Sequence, residues 1–97
     1  MYARSVTLHL NTEMWQELHQ FGQEISDRIS GLPGLISWVL VANSETGQGT
    51  SFSLFEDEKA FLAVNDKINE IVADFGGFFT EPPSEQLGHV VAQLDTD

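Results

Sequence analysis

Few side chains in this chain have the type and spacing for chemistry. There is no cysteine, which removes thiolate nucleophiles, disulfides, thiolate metal sites and Fe–S clusters together. A nucleophile would have to be serine or threonine served by a histidine base, and no GxSxG elbow is present. The histidines His9, His19 and His89 lack metal-ligand spacings such as HxH or HExxH, so neither a metal site nor a bound cofactor is expected. His19 neighbours an apolar helical stripe and either looks to solvent or borders a pocket. His9 and His89 fall on the first and last predicted strands, where they could approach each other as interface histidines or supply a base. Arg4 is one of only four cations. At the edge of a cavity it could hold an anionic or phenolate oxygen; otherwise it pairs with one of the many acids. Arg4 and His89 are therefore the catalytic candidates. Trp38 brings a large flat wall and an N–H that needs a partner, and serves either as packing or as a pocket wall. Tyr2, Phe52, Phe61 and Phe75 could supply further walls for an aromatic ligand, while Trp15 reads as packing at the edge of a helix.

The elements that must position these residues follow from periodicity. From Tyr2 to Leu10 the chain alternates: Tyr2, Arg4, Val6, Leu8 and Leu10 share one face, and Ala3, Ser5, Thr7 and His9 the other, the pattern of a strand. Asn11 offers an N-cap, Glu13 suits the first helical turn, and Met14, Leu18, Phe21, Ile25 and Ile29 form one stripe of a helix. Gly31 and Pro33 stop it. Leu35 to about Ala42 reads as a second strand, but its run LISWVLVA does not alternate. After the turn-rich NSETGQG, Thr50–Phe55 alternates again, with Phe52 and Leu54 opposite Ser51 and Ser53. Asp57 caps a second helix with the stripe Phe61, Val64, Ile68, Ile71 or Val72 and Phe75, ended by Gly76-Gly77. The loop FFTEPPSEQ, with adjacent Phe78 and Phe79, reads as a mobile lid or a dimer-clasping segment. A fourth strand is expected at His89–Leu94, followed by a frayed tail, Asp95–Asp97.

The order β-α-β-β-α-β is the ferredoxin-like α+β arrangement: a four-stranded antiparallel sheet with two helices on one face, in a single domain over residues 1–97. Two helices cover one sheet face only. The full-sized apolar side chains on the other face of the second strand need a cover, and a second copy of the sheet supplies it. A homodimer is expected on this ground alone.

Fifteen acidic residues against four basic ones give a formal net charge of −11. Such a surface repels nucleic-acid backbones and anionic membranes, so neither is an expected partner. It reads as a solvated face that aids solubility. No apolar run nears the roughly 20 residues of a membrane span, and the start, MYARSVTLHL, has no signal-peptide pattern. A cytoplasmic protein is expected.

MYAR at the start, GLPG before the apolar strand, ETGQG in the hairpin, SLFEDEKAF at the strand-to-helix junction and FFTEPP near the end resemble, in order and spacing, the dimeric α/β-barrel superfamily. Within it they resemble the small antibiotic biosynthesis monooxygenase (ABM)-like domains. The resemblance covers essentially the whole chain. It implies a homodimer with two sheets packed face to face, and a cavity between sheet and helices that holds an aromatic, polyketide-like substrate or haem. Haem-degrading members place asparagine on the first strand, tryptophan near the end of the third and a histidine ligand on the second helix. Here Ser5 and Thr7 occupy the middle of the first strand, Phe55 ends the third, and the second helix has no histidine. Haem degradation is therefore not expected.

Two readings remain. One is a cofactor-independent monooxygenase, or related enzyme, acting on an aromatic or quinol-like small molecule. The other is a non-catalytic small-molecule-binding or structural dimer.

Overall fold

The computed structural model describes residues 1–96. Strand β1 spans Tyr2–His9, and its burial alternates residue by residue as the sequence pattern requires. Asn11 then caps the next segment by accepting the Glu13 N–H at 3.0 Å. The continuous helix expected from this cap is instead divided. Thr12–Glu17 winds as a 3-10 helix with non-helical Met14 inside it, and α1 follows at Leu18–Ile29. The Asn11 N–H is held by the Phe78 carbonyl at 2.8 Å, and the chain leaves this anchor in the tighter 3-10 winding.

Strands β2 (Leu35–Ala42) and β3 (Gln48–Phe55) form a hairpin. Asp57 caps α2 (Glu58–Asp74) by accepting the Ala60 N–H at 2.7 Å. Gly76–Phe78 makes a short 3-10 turn before β4 (Ser84–His89). The sheet is antiparallel with order β2-β3-β1-β4, the ferredoxin-like α+β arrangement.

The apolar stripes of both helices and the even-numbered face of β1 close the core. Phe21 meets Phe75 edge-on at 5.2 Å and Phe78 at 4.6 Å, while Phe61 packs on Tyr2 and Phe55 at 5.5 and 5.3 Å. Burying each of these rings contributes about 2–3 kcal/mol. The β2–β3 turn is fastened to the end of β1 at Gly47, whose carbonyl accepts the Leu10 N–H at 2.7 Å. Gly47 has φ +78°, and a Cβ there would sit 2.3 Å from Leu10 O, so only glycine fits.

The last strand differs from the expectation. It runs Ser84–His89, pairing Thr7 with Ser84 and Tyr2 with His89, and Val90–Leu94 lies beyond it without regular structure. SEQLGH is polar because it forms a sheet edge exposed along its whole length, and such edges favour polar side chains. The apolar VVAQL imitated a strand more closely. Of the expected frayed tail, Asp95 and Thr96 are exposed outside regular structure, and Asp97 lies outside the described residues.

The start of the segment expected as a mobile lid or dimer clasp is held to the core. Phe79 bridges Leu10, the Thr80 N–H donates to His9 O at 2.8 Å, and Phe78 and Phe79 pack against Phe21. The two adjacent phenylalanines are part-buried against the core, which ties down Phe78 to Thr80.

The missing alternation of β2 has a local cause. Leu35 opposes Phe55 and Ser37 opposes Leu54, which leaves Ile36 as an extra residue. This β-bulge resets the parity. Leu35 before it and Trp38, Leu40 and Ala42 after it are all part-buried, whereas Ile36, Val39 and Val41 are exposed.

Candidate functional site

Between the sheet and the helices lies a cavity of about 50 Å³. β1 contributes Arg4, Val6 and Leu8, β2 contributes Trp38 and Leu40, and β3 contributes Ser51, Ser53 and Phe55. The helices roof it with residues such as Phe21, Ile25, Ile68 and Ile71. The space exists because β3 presents two serines toward the helices where β1 presents larger side chains. Ser53 opposes Arg4 in the β1–β3 ladder, and Ser51 opposes Val6.

Arg4 is the cavity's one charged lining residue, and it is 7 % exposed. Its Nε donates to Glu85 Oε2 on β4. Glu85 opposes Val6 and so falls on the same sheet face as Arg4, one pair along. Among the described residues the bond to Glu85 is the one hydrogen bond of the Arg4 side chain, and since no fully buried side-chain nitrogen lacks a partner, its Nη groups reach accessible space. The residue as a whole is buried and lines the cavity, and the four N–H donors of its Nη groups are free to bond whatever reaches them. Beside it, Trp38 Nε1 donates to Ser51 Oγ at 2.9 Å. That bond satisfies the indole and fixes its plane along the cavity wall; such bonds contribute about 1 kcal/mol. An apolar cavity with one cationic fork suits a planar, largely apolar molecule bearing an acidic or keto oxygen.

The structure brings some of the sequence candidates together and separates others. Arg4 and Trp38 meet in the cavity. Tyr2 and Phe61 stack in the neighbouring aromatic cluster, and Phe75 stands behind Phe21. Phe52, expected among the pocket walls, lies on the opposite sheet face and is 43 % exposed, because its parity on β3 is that of Leu54 and Thr50. His89 is exposed, with its ring edge-on to Tyr2 at 5.1 Å and its Nε2 3.2 Å from Glu58 Oε2. His9 and His89 do not approach each other. They stand at opposite ends of β1, about 23 Å apart at the rise of an extended strand. His9 faces away from the cavity, with its Nε2 3.6 Å from Glu81. Sequence reasoning missed Ser51, Ser53 and Glu85 as participants. The alternation of β3 put both serines on one face, but only the β1–β3 pairing shows that they face Arg4. No group of three or more metal-ligating side chains is assembled among the described residues, and no helix among them is long and apolar enough to cross a membrane.

No family model matches the chain, and no curated protein matches it. Solved structures do. One, described as an antibiotic biosynthesis monooxygenase, superposes with a TM-score of 0.75 at 12 % identity, covering 95 % of this chain and 100 % of that one. The chain has the antibiotic biosynthesis monooxygenase fold. The ABM-like architecture recurs in a protein of unknown function from Nitrosomonas europaea, with a TM-score of 0.77 and 18 % identity over 99 % of this chain and 94 % of that one. It recurs again in a monooxygenase of Streptomyces coelicolor in complex with the ligand nanaomycin D, with a TM-score of 0.70 and 15 % identity over 99 % and 92 %. At these identities the ABM-like likeness concerns backbone architecture, and the chemistry must be argued from this chain's own side chains.

Proposed function

We propose that this ABM-like chain is a homodimer that binds a planar hydroxyaromatic or quinol-like molecule between its sheet and helices and oxygenates it without a cofactor. The observation that carries this reading is Arg4, 7 % exposed, as the single charged residue lining an otherwise largely apolar cavity. A phenolate or enolate oxygen held by the two Nη groups is stabilised as the anion, the form of such substrates that reacts with dioxygen. For an anthrone-type CH₂ the sum is R₂CH₂ + O₂ → R₂C=O + H₂O. Dioxygen is the four-electron oxidant; one of its oxygen atoms enters the carbonyl and the other leaves as water. Arg4 selects and holds the anion, Trp38 supplies a stacking wall, and the apolar lining excludes bulk water.

The homodimer rests on the outer sheet face. Ile36, Val39, Val41 and Phe52 stand there between 43 and 61 % exposed. The small residues Ala3 and Ser5 beside Phe52 allow a second sheet to approach closely.

One observation favours a second, non-catalytic reading. The cavity lining contains no histidine, lysine or carboxylate, so a bound substrate finds no general base there. Oxygen uptake with anthrone separates the two. The enzyme reading expects uptake above the buffer rate, at one O₂ per anthrone consumed, and its loss in Arg4→Met. Anthrone that binds while uptake stays at the buffer rate establishes the binder.

A further inference from the structure

The two most exposed large apolar side chains among the described residues are Val91, at 98 %, and Leu94, at 85 %. They belong to Val90–Leu94, which follows β4 without regular structure. The segment is tied to the sheet at its start, where the Val90 N–H donates to the Met1 carbonyl at 2.9 Å. Its residues suit a strand: Val90, Ala92 and Leu94 share one face in extended backbone, and Val91 and Gln93 the other. At the opposite edge of the sheet, β2 carries a row of backbone groups without a neighbouring strand. There an open groove of about 580 Å³ runs between β2 and α1, with Trp38 and Leu40 on one side and Trp15, Leu18 and His19 on the other. Among the described residues no aspartate or glutamate lines it, in a chain that has fifteen. Asp95, which follows Leu94, therefore meets no like charge in the groove.

We infer that Val90–Leu94 of each protomer pairs as a fifth strand along β2 of a second copy and closes this groove. The inference rests on the homodimer reading, and adds to it the segment that is exchanged and the place where it docks. Alternation suits both sides of such a strand. Val90, Ala92 and Leu94 cover the apolar groove, while Val91 extends the exposed outer face of Val39 and Val41. Reach excludes the segment's own protomer. β4 and β2 stand three strand spacings apart, about 14 Å. Five extended residues span about 17 Å, so Val90–Leu94 would be spent on the crossing. Two sheets packed face to face about a two-fold axis along their strands instead set β4 of one over β2 of the other, about 10 Å away. Trp38 lines both the cavity and the groove. Its outer side is then backed by the partner's segment, and the wall of the ligand site is incomplete in an isolated protomer.

The test is Leu94→Asp, alone and in the monomeric background of Val39→Lys or Phe52→Lys, read by analytical ultracentrifugation and by tryptophan emission. Leu94 is exposed in its own protomer, so the substitution leaves that fold intact. In the dimer Leu94→Asp should raise the dissociation constant by about tenfold or more, because a leucine's burial is lost and a charge enters an apolar groove. Both indoles line that groove, so their emission should shift to longer wavelength. In the monomeric background the emission is already shifted, and adding Leu94→Asp moves it no further. A wild-type monomer overturns the homodimer and the exchange with it. A wild-type dimer in which Leu94→Asp leaves either the dissociation constant or the emission unchanged overturns the exchange and leaves the homodimer standing. A shift that Leu94→Asp still produces in the monomeric background puts the segment on its own protomer and likewise overturns the exchange.

Discussion

Arg4 and Glu85 clasp β1 to β4 diagonally, with Arg4 Nε bonded to Glu85 Oε2. The two ends of the pair are unequally buried: the Arg4 side chain is 8 % exposed and that of Glu85 37 %. That inequality gives the pair a directional consequence. Glu85→Gln leaves the guanidinium charge without a counter-charge inside the fold and should lower unfolding free energy by about 2 kcal/mol. Arg4→Met leaves a carboxylate that can turn to water, and should cost about 1 kcal/mol or less. Urea denaturation of both variants checks the order; a costlier Arg4→Met contradicts it.

The Trp38–Ser51 bond predicts a coupling. Trp38→Phe and Ser51→Ala each remove one partner of a part-buried pair, and each should cost about 1 kcal/mol. The double variant should cost less than their sum by a similar amount. Strict additivity would mean that the indole is not held through this bond.

The outer sheet face predicts the assembly. Light scattering of the wild-type chain should return twice the 10.8 kDa of one chain. Val39→Lys or Phe52→Lys, both on exposed positions of that face, should return the monomer with unchanged secondary structure in circular dichroism. A wild-type monomer at micromolar concentration refutes the dimer.

Gly47 predicts a backbone effect independent of the cavity. Gly47→Ala combines a positive φ with a close approach to Leu10 O and should cost about 2 kcal/mol or more. By contrast Gly76, where an added Cβ meets nothing within 4 Å, should tolerate alanine within about 0.5 kcal/mol. Thermal melts of the two variants compare them directly.

How legible the fold was in the sequence varied with how one-sided each element is. β1 and α2 each bury one face, and Tyr2, Val6 and Leu8, or Phe61, Val64 and Ile68, recur at the matching period. β4 has no such face, so its polar residues gave no periodicity and the neighbouring VVAQL drew the assignment. The site was less legible for a related reason. Parity could place Arg4 under the helices, but the face of Trp38 depends on the bulge at Ile36, and a bulge becomes visible only once β2 is paired with β3. The cavity depends on small residues standing opposite large ones across a ladder, Ser53 against Arg4 and Ser51 against Val6. That is a property of register, which no single segment carries.

The account's central claim is that Arg4 holds the oxygen of an aromatic ligand inside the fold. A crystal structure with 1-naphthol bound tests it most directly. The ligand should lie between sheet and helices, its oxygen about 3 Å from an Arg4 Nη group, with Trp38 displaced from Ser51 or stacked on the ring. Naphthol lodged elsewhere on the chain, with the space beside Arg4 unchanged, would contradict the account.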